Sequence, residues 1–238
     1  MKLLVSVSDA EEARAALDGG ADIIDAKDPW MGALGPVSCG VFQDIYEAVA
    51  SSRGVSAALG DDDGAGSVET RARAFAEVGA RFVKVGFRGS CDADWIAERI
   101  EGLVRACSTV GRETGVVAVS YADARVGESV GAHELIAIAA KAGASGVLVD
   151  TSIKDGVGLA DLWNVQRVAS WVAGAHAHGL FAAVAGRLAV DELAVAREAG
   201  ADIVGVRGAA CVGGRMARVD AERVRVLRRA VDESLVRA

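Results

Sequence analysis

One short pattern occurs four times in this chain, and the repeat constrains the fold more than any other feature. Its copies are Gly20-Ala21-Asp22-Ile23-Ile24-Asp25-Ala26-Lys27, Gly79-Ala80-Arg81-Phe82-Val83-Lys84-Val85, Gly143-Ala144-Ser145-Gly146-Val147-Leu148-Val149-Asp150 and Gly200-Ala201-Asp202-Ile203-Val204-Gly205-Val206-Arg207. Each reads as a turn followed by a short buried strand. Counting from each glycine, the fifth and seventh following positions hold Asp25 and Lys27, Lys84 and Gly86, Leu148 and Asp150, and Gly205 and Arg207. Side chains two apart on a strand share a face. The spacing therefore predicts four strands that aim Asp25, Lys27, Lys84, Asp150 and Arg207 from equivalent places near their C-terminal ends. An active site there is the expectation.

Between the copies the alternation continues. Strands are expected at about 3–6, 23–26, 55–59, 82–85, 115–120, 146–150, 181–184 and 203–206. Ser8-Asp9-Ala10-Glu11 is a capping-box pattern that opens a first helix ending at Gly19-Gly20. Further helices are expected up to about 53, and at 67–78, 92–110, 130–142, 160–177, 190–199 and from about 220. Near-continuous apolar strands alternating with amphipathic helices indicate a parallel sheet covered by helices. Eight such units in 238 residues favour a single (β/α)8 TIM barrel over an open doubly wound sheet. No GxGxxG follows the first strand, which weakens a dinucleotide-binding reading. No linker interrupts the pattern, so one domain over 1–238 is expected.

Composition narrows the partners. The formal net charge of −7 carries no nucleic-acid-binding footprint. No apolar run approaches the roughly 20 residues that span a bilayer, and the polar Ser8-Asp9 follows too soon for a signal h-region. A cytoplasmic protein is expected. Cys39, Cys91, Cys107 and Cys211 are scattered without a CxxC pair, and His133, His176 and His178 offer no HExxH. The acidic run Asp61-Asp62-Asp63-Gly64 fails the spacing of a calcium loop. Neither a metal nor an organic cofactor is demanded. Oligomeric state stays open, with a homo-oligomer among the options.

The expected barrel places its chemistry at the strands' C-terminal ends. An inward lysine on a strand as apolar as Phe82-Val83-Lys84-Val85 is costly unless it is paired or loses its charge. Lys27 and Lys84, close together, disfavour each other's charged form and leave one amine free as nucleophile or base. Asp25 and Asp150 supply countercharge and proton-transfer capacity. Lys154 follows Asp150 on a polar loop. After the last two strands, Gly186-Arg187 and Arg207-Gly208-Ala209 combine close backbone approach with a forked cation, as a phosphate site needs. An amine-lined pocket beside a phosphate site implies carbonyl chemistry on a small sugar or triose phosphate.

The combination is more specific than its parts. Asp25-Ala26-Lys27-Asp28-Pro29 with Gly32-Ala33-Leu34-Gly35, Val83-Lys84-Val85-Gly86, Val149-Asp150-Thr151 with Lys154-Asp155-Gly156, and Val204-Gly205-Val206-Arg207-Gly208-Ala209 resemble the (5-formylfuran-3-yl)methyl phosphate synthase family over nearly the whole chain. The resemblance implies a TIM barrel that joins two molecules of glyceraldehyde 3-phosphate into a furancarboxaldehyde phosphate, the start of the furan of methanofuran, losing phosphate and water. It implies that Lys27 forms a Schiff base, that Lys84 accepts a proton, and that Asp25, Asp150 and Lys154 assist. Asp28 and Trp30-Met31 depart from the family pattern in the loop after Lys27. Two other readings compete. One is a different Schiff-base aldolase or triose-phosphate isomerase-like enzyme; the other is a non-catalytic barrel that binds a phosphorylated metabolite.

Overall fold

The repeated dipeptide is a helix-ending device. In the computed structural model, which describes residues 1–49, 52–110 and 113–233, Gly20, Gly79, Gly143 and Gly200 take φ of 92°, 126°, 80° and 78°. Each alanine that follows donates its N–H to the carbonyl five residues earlier: Ala21 to Ala16, Ala80 to Phe75, Ala144 to Ala139 and Ala201 to Ala196. This is the Schellman closure, which needs a left-handed residue and so selects glycine. The chain leaves each closure directly into a strand.

Eight parallel strands result: β1 (Lys2–Val7), β2 (Ile23–Ala26), β3 (Gly54–Asp61), β4 (Phe82–Gly86), β5 (Gly115–Tyr121), β6 (Gly146–Asp150), β7 (Phe181–Val184) and β8 (Ile203–Val206). They pair in chain order, and β8 returns to β1 to close the barrel. Around it lie α1 (Ala10–Asp18), α2 (Cys39–Val49), α3 (Ser67–Val78), α4 (Ala93–Ser108), α5 (Ala132–Lys141), α6 (Leu159–Leu162), α7 (Val165–Ala177), α8 (Leu193–Glu198) and α9 (Ala221–Asp232). The four repeat copies feed β2, β4, β6 and β8. Alternate strands supply the layers of side chains inside such a barrel, so the repeat lines its interior.

Two cores follow from the strand period of two. Outward residues such as Leu3, Val5, Ile24, Val83, Val147 and Val204 pack with Phe42, Phe75, Ile100 and Trp171 of the helices. Inward residues Leu4, Ile23, Ala58, Val117, Val119, Leu148, Ala183 and Ile203 form the smaller, second core. Burying each such Leu, Ile or Phe stabilises by about 1.5–3 kcal/mol, which offsets the charges the barrel also holds. At its N-terminal end the rings of Phe82 and Phe181 meet edge to face, with centroids 5.0 Å apart. Gly115 and Gly146 make room for them, since a Cβ there would lie 2.9 Å from Phe82 and 2.5 Å from Phe181.

Several boundaries differ from the sequence expectation. The helix expected over 160–177 is two helices, because the Asn164 side chain accepts the Arg167 N–H and starts α7 afresh. β3 runs on through Gly60 and Asp61 by way of a register shift against β4. The acidic run 61–63, whose plain reading is a solvated helix entry, instead buries Asp62, which pairs with Arg99 at 2.8 Å. The capping box is replaced by a related device: Asp9 caps the Glu12 N–H, and Glu12, not Glu11, reaches back to Ser8. The expected run of the second helix to 53 crosses residues 50–51, and the chain end beyond 233 likewise lies outside the described residues. No described helix is long and apolar enough to cross a membrane.

Candidate active site

The register builds the site's deepest charged group. Ser6, Asp25 and Ser56 are aligned on β1, β2 and β3. The Asp25 carboxylate is fully buried and accepts both hydroxyls, Ser6 at 2.8 Å and Ser56 at 2.7 Å. Lys84 reaches from β4 to the same carboxylate at 2.6 Å. Four polar groups inside an apolar barrel thus satisfy one another.

Lys27 and Asp150 form the level above. Asp150, at the end of β6, accepts the Lys154 ammonium at 2.6 Å and the Thr151 N–H at 2.7 Å. Burial works to raise its carboxyl, but the ammonium groups of Lys154 and Lys27 and these hydrogen bonds override it and hold the group below the ordinary aspartate range. Lys27 follows β2 and is buried, yet its amine has no hydrogen bond or ion pair among the described residues. Burial pulls it down from 10.5 to about 7; Lys154 and Lys84 push the same way, while Asp150 and Asp25 oppose. A buried amine that sheds its proton near neutral pH is a competent nucleophile.

Lys27, Lys84, Asp150 and Lys154 line one pocket in the barrel mouth, together with Gly186, Arg187, Arg207 and Arg215. Asp25 stands behind Lys84. The five residues expected from the sequence to carry chemistry are therefore gathered in one place. The expected phosphate residues are not all alike. Gly186 and Arg187 are in the wall, and the Arg187 guanidinium donates to the Lys154 carbonyl. Arg207 also reaches the wall, but its five N–H groups are taken by Glu12, which it pairs with at 2.8 Å, and by the carbonyls of Ser6, Arg215 and Ala217. As arranged it offers no fork to a ligand. Gly208 and Ala209 sit behind it in a 3-10 turn, Gly208–Ala210, outside the wall.

Comparisons with known proteins place the chain in a family. The profile of the 4-HFC-P synthase family matches residues 3–228. The chain belongs to the 4-HFC-P synthase family. A (5-formylfuran-3-yl)methyl phosphate synthase from Methanocaldococcus jannaschii is 40% identical over 234 residues, covering 96% of this chain and 98% of its own. The synthase of the same name from Methanopyrus kandleri is 40% identical over 214 residues, 90% of each chain. That from Methanothermobacter thermautotrophicus is 37% identical over 235 residues, 98% of this chain and 99% of its own. Membership makes the chain an enzyme. Among solved structures, 3-hexulose-6-phosphate synthase superposes with a TM-score of 0.66 at 23% identity, over 97% of this chain and 100% of its own. Phosphoribosyl anthranilate isomerase from Thermus thermophilus gives 0.63 at 15%, over 97% and 98%. At these identities the likeness is one of fold.

This member of the 4-HFC-P synthase family also holds site residues that the sequence reading does not single out. Ser6 and Ser56 are polar residues at inward positions of apolar strands, which is the signal that could have found them. Glu12 lies 195 residues from Arg207, and nothing local links the two. Arg215 lines the pocket and ties down the loop after Lys27, donating to the carbonyls of Pro29 at 2.6 Å and Gly32 at 2.7 Å. Gly86, the seventh position of the second copy, lacks a side chain for a reason. The Tyr121 hydroxyl crosses it to donate to Asp61 at 2.7 Å.

Proposed function

We propose that this enzyme condenses two molecules of glyceraldehyde 3-phosphate into 4-(hydroxymethyl)-2-furancarboxaldehyde phosphate, losing phosphate and water, in the cytoplasm and on the route to methanofuran. The reading makes it a carbon–oxygen lyase that works through a lysine Schiff base. The observation that carries it is Lys27: a buried amine without a partner among the described residues, pulled down to about 7 mainly by burial. Such an amine attacks an aldehyde carbon, and the carbonyl oxygen leaves as water. The resulting iminium makes the adjacent C–H acidic. Lys84, held against Asp25 at 2.6 Å, is the residue assigned to accept that proton. Electron flow back through the same carbons then expels the β-phosphate. That leaves a conjugated iminium; loss of the proton from its retained C2 hydroxyl makes the terminal carbon nucleophilic, and that carbon attacks the C2 carbonyl of the second triose phosphate, isomerised to its ketose form. Asp150 and Lys154, paired at 2.6 Å, serve the proton transfers of dehydration as the furan closes.

The charge of the pocket supports a phosphorylated substrate. Six basic side chains line it, against the one carboxylate of Asp150 among the described residues, in a chain of net charge −7. A cationic cleft of this kind raises the local concentration of anions. Gly186 and Arg187 are the residues assigned to a phosphate.

The test is incubation with glyceraldehyde 3-phosphate, with and without borohydride, followed by mass spectrometry of product and protein. Wild type is expected to give a furan phosphate, free phosphate and an adduct mapped to Lys27; Lys27→Ala gives none of these. Formation of dihydroxyacetone phosphate or a simple aldol product, and no furan, would move the assignment to another Schiff-base or isomerase-like reaction. Unchanged substrate with no adduct would leave a phosphometabolite-binding barrel as the better reading.

A further inference from the structure

The polar end of β5, Ser120-Tyr121-Ala122-Asp123, has no place in the reaction just described. Asp123 does not face the pocket; its carboxylate faces the loop that follows β6. One oxygen accepts the Ser152 N–H at 2.7 Å and the other accepts the Ile153 N–H at 2.8 Å. The next residue is Lys154. Its carbonyl is held by the Arg187 guanidinium from the loop after β7, and its ammonium reaches back to Asp150 at 2.6 Å. The loop is thus gripped by an anion just before the lysine and by a cation at it.

These grips are what shape the segment. Residues 152–157 make no backbone–backbone hydrogen bonds to the described residues, and Ile153, Asp155, Gly156 and Val157 are exposed. No helix or sheet therefore dictates where Lys154 stands. Arg187 is the sole non-glycine among the described residues with positive φ, at 59°. An L residue keeps that conformation only where its surroundings hold it. Here it brings the guanidinium onto the Lys154 carbonyl.

We propose that Asp123, together with Arg187, is a positioning residue that clamps the loop after β6 so that the Lys154 ammonium stays on Asp150 inside the Lys27 pocket. The proposal rests on the reading of Lys27 as the nucleophile and adds a second requirement to it. The charged groups facing the Lys27 amine are Asp25, Lys84, Asp150 and Lys154, with Arg187, Arg207 and Arg215 in the same wall. Lys154 alone among them rides on the clamped loop. Releasing the loop removes an ammonium from beside Lys27 and frees Asp150 to face it. Both changes favour the protonated amine.

The test follows the Lys27 amine without substrate. Wild type, Asp123→Asn, Arg187→Met and Lys154→Met are pulse-acylated with acetic anhydride from about pH 5 to 10, and the Lys27 peptide is quantified by mass spectrometry. The expected result is a midpoint moved to higher pH in all three variants, in the order set by Lys154→Met as the limit. Asp123→Asn is also expected to lower kcat by about tenfold or more, with its acid limb displaced the same way and KM little changed. Asp123→Glu, which keeps the charge and both acceptor oxygens, restores part of each. A folded Asp123→Asn that titrates Lys27 as wild type does overturns the proposal, and so does one that only melts earlier with the Lys27 midpoint unmoved. Should Asp123→Asn not fold, Arg187→Met decides alone, because acylation needs no bound phosphate. Failure of the Schiff-base reading looks different: wild type then gives no borohydride-trapped adduct, whatever the acylation profiles show.

Discussion

The ends of β2 and β8 carry the same position of the sequence repeat, and the two cations found there meet opposite fates. Lys27 is 7% exposed and Arg207 is 6% exposed, so burial does not separate them. Partners do. Arg207 has an acceptor for each N–H, including the buried carboxylate of Glu12, and so is closed to a ligand. Lys27 has no such acceptor among the described residues, and burial drives it toward the neutral amine. One cation ties the last strand to the first βα unit, and the other stands unpaired among the described residues in the pocket. Two cations at one position of the repeat are thus told apart by the acceptors around them.

The contrast is sharpest in what each loss costs. Lys27→Met is expected to lower kcat by more than about 10^4-fold while the protein folds as before, as steady-state assays and circular dichroism will report. Arg207→Met is expected to do the reverse and lower stability by about 3–5 kcal/mol, because it leaves Glu12 buried and unpaired. Denaturant melts will measure this, and Glu12→Met in the same chain should recover most of it. The comparison breaks if Arg207→Met spares stability and abolishes turnover.

The second copy of the repeat offers a third fate for the same position. At Gly86 a Cβ would stand 2.1 Å from the Asp61 carboxylate and 2.6 Å from the Tyr121 hydroxyl. Gly86→Ala is therefore expected to cost about 1–3 kcal/mol by overpacking and to open the Tyr121–Asp61 hydrogen bond. That phenol is held well above 10.0 by burial first and by Asp61 next, so alkaline absorbance titration should show it falling.

The smallest effect concerns the stability cost of Lys27 itself. Its pKa is near 7 folded against 10.5 free, so between these values the unfolded chain holds a proton that the folded chain does not. Stability must then fall as pH drops through that window. Lys27→Met removes this dependence, and at neutral pH is expected to gain about 0.5–2 kcal/mol. Melts of both proteins at several pH values test the sign directly; a steeper loss in the variant would reverse the account of Lys27.

How much of this is readable in the sequence depends on the range of the interactions. β2, β6, β7 and β8 fall where the pattern puts them, because the Gly-Ala closure marks each start or an apolar run stands alone. The α6–α7 break is hidden because one side-chain cap at Asn164 outweighs a continuous apolar period. β3 outruns its apolar stretch because its polar end, Gly60-Asp61, pairs with β4 in spite of its composition. In the site, Asp25, Lys27, Lys84 and Asp150 are legible since parity along a strand is a local property, and Lys154, on a loop, only through the family resemblance. The commitment of Arg207 is not, because Glu12 and Ser6 come to it from the other end of the chain. Which of two like cations is free cannot be read from either neighbourhood alone.

The crossed rings of Phe82 and Phe181 have a consequence for traffic. They fill the barrel at its N-terminal end, so among the described residues the chamber above them opens toward the C-terminal ends of the strands. A molecule that enters there has to leave by the way it came, and a second one can lie only above the first. The order of entry and exit is thus set by the floor of the barrel, well below the charged residues at its mouth.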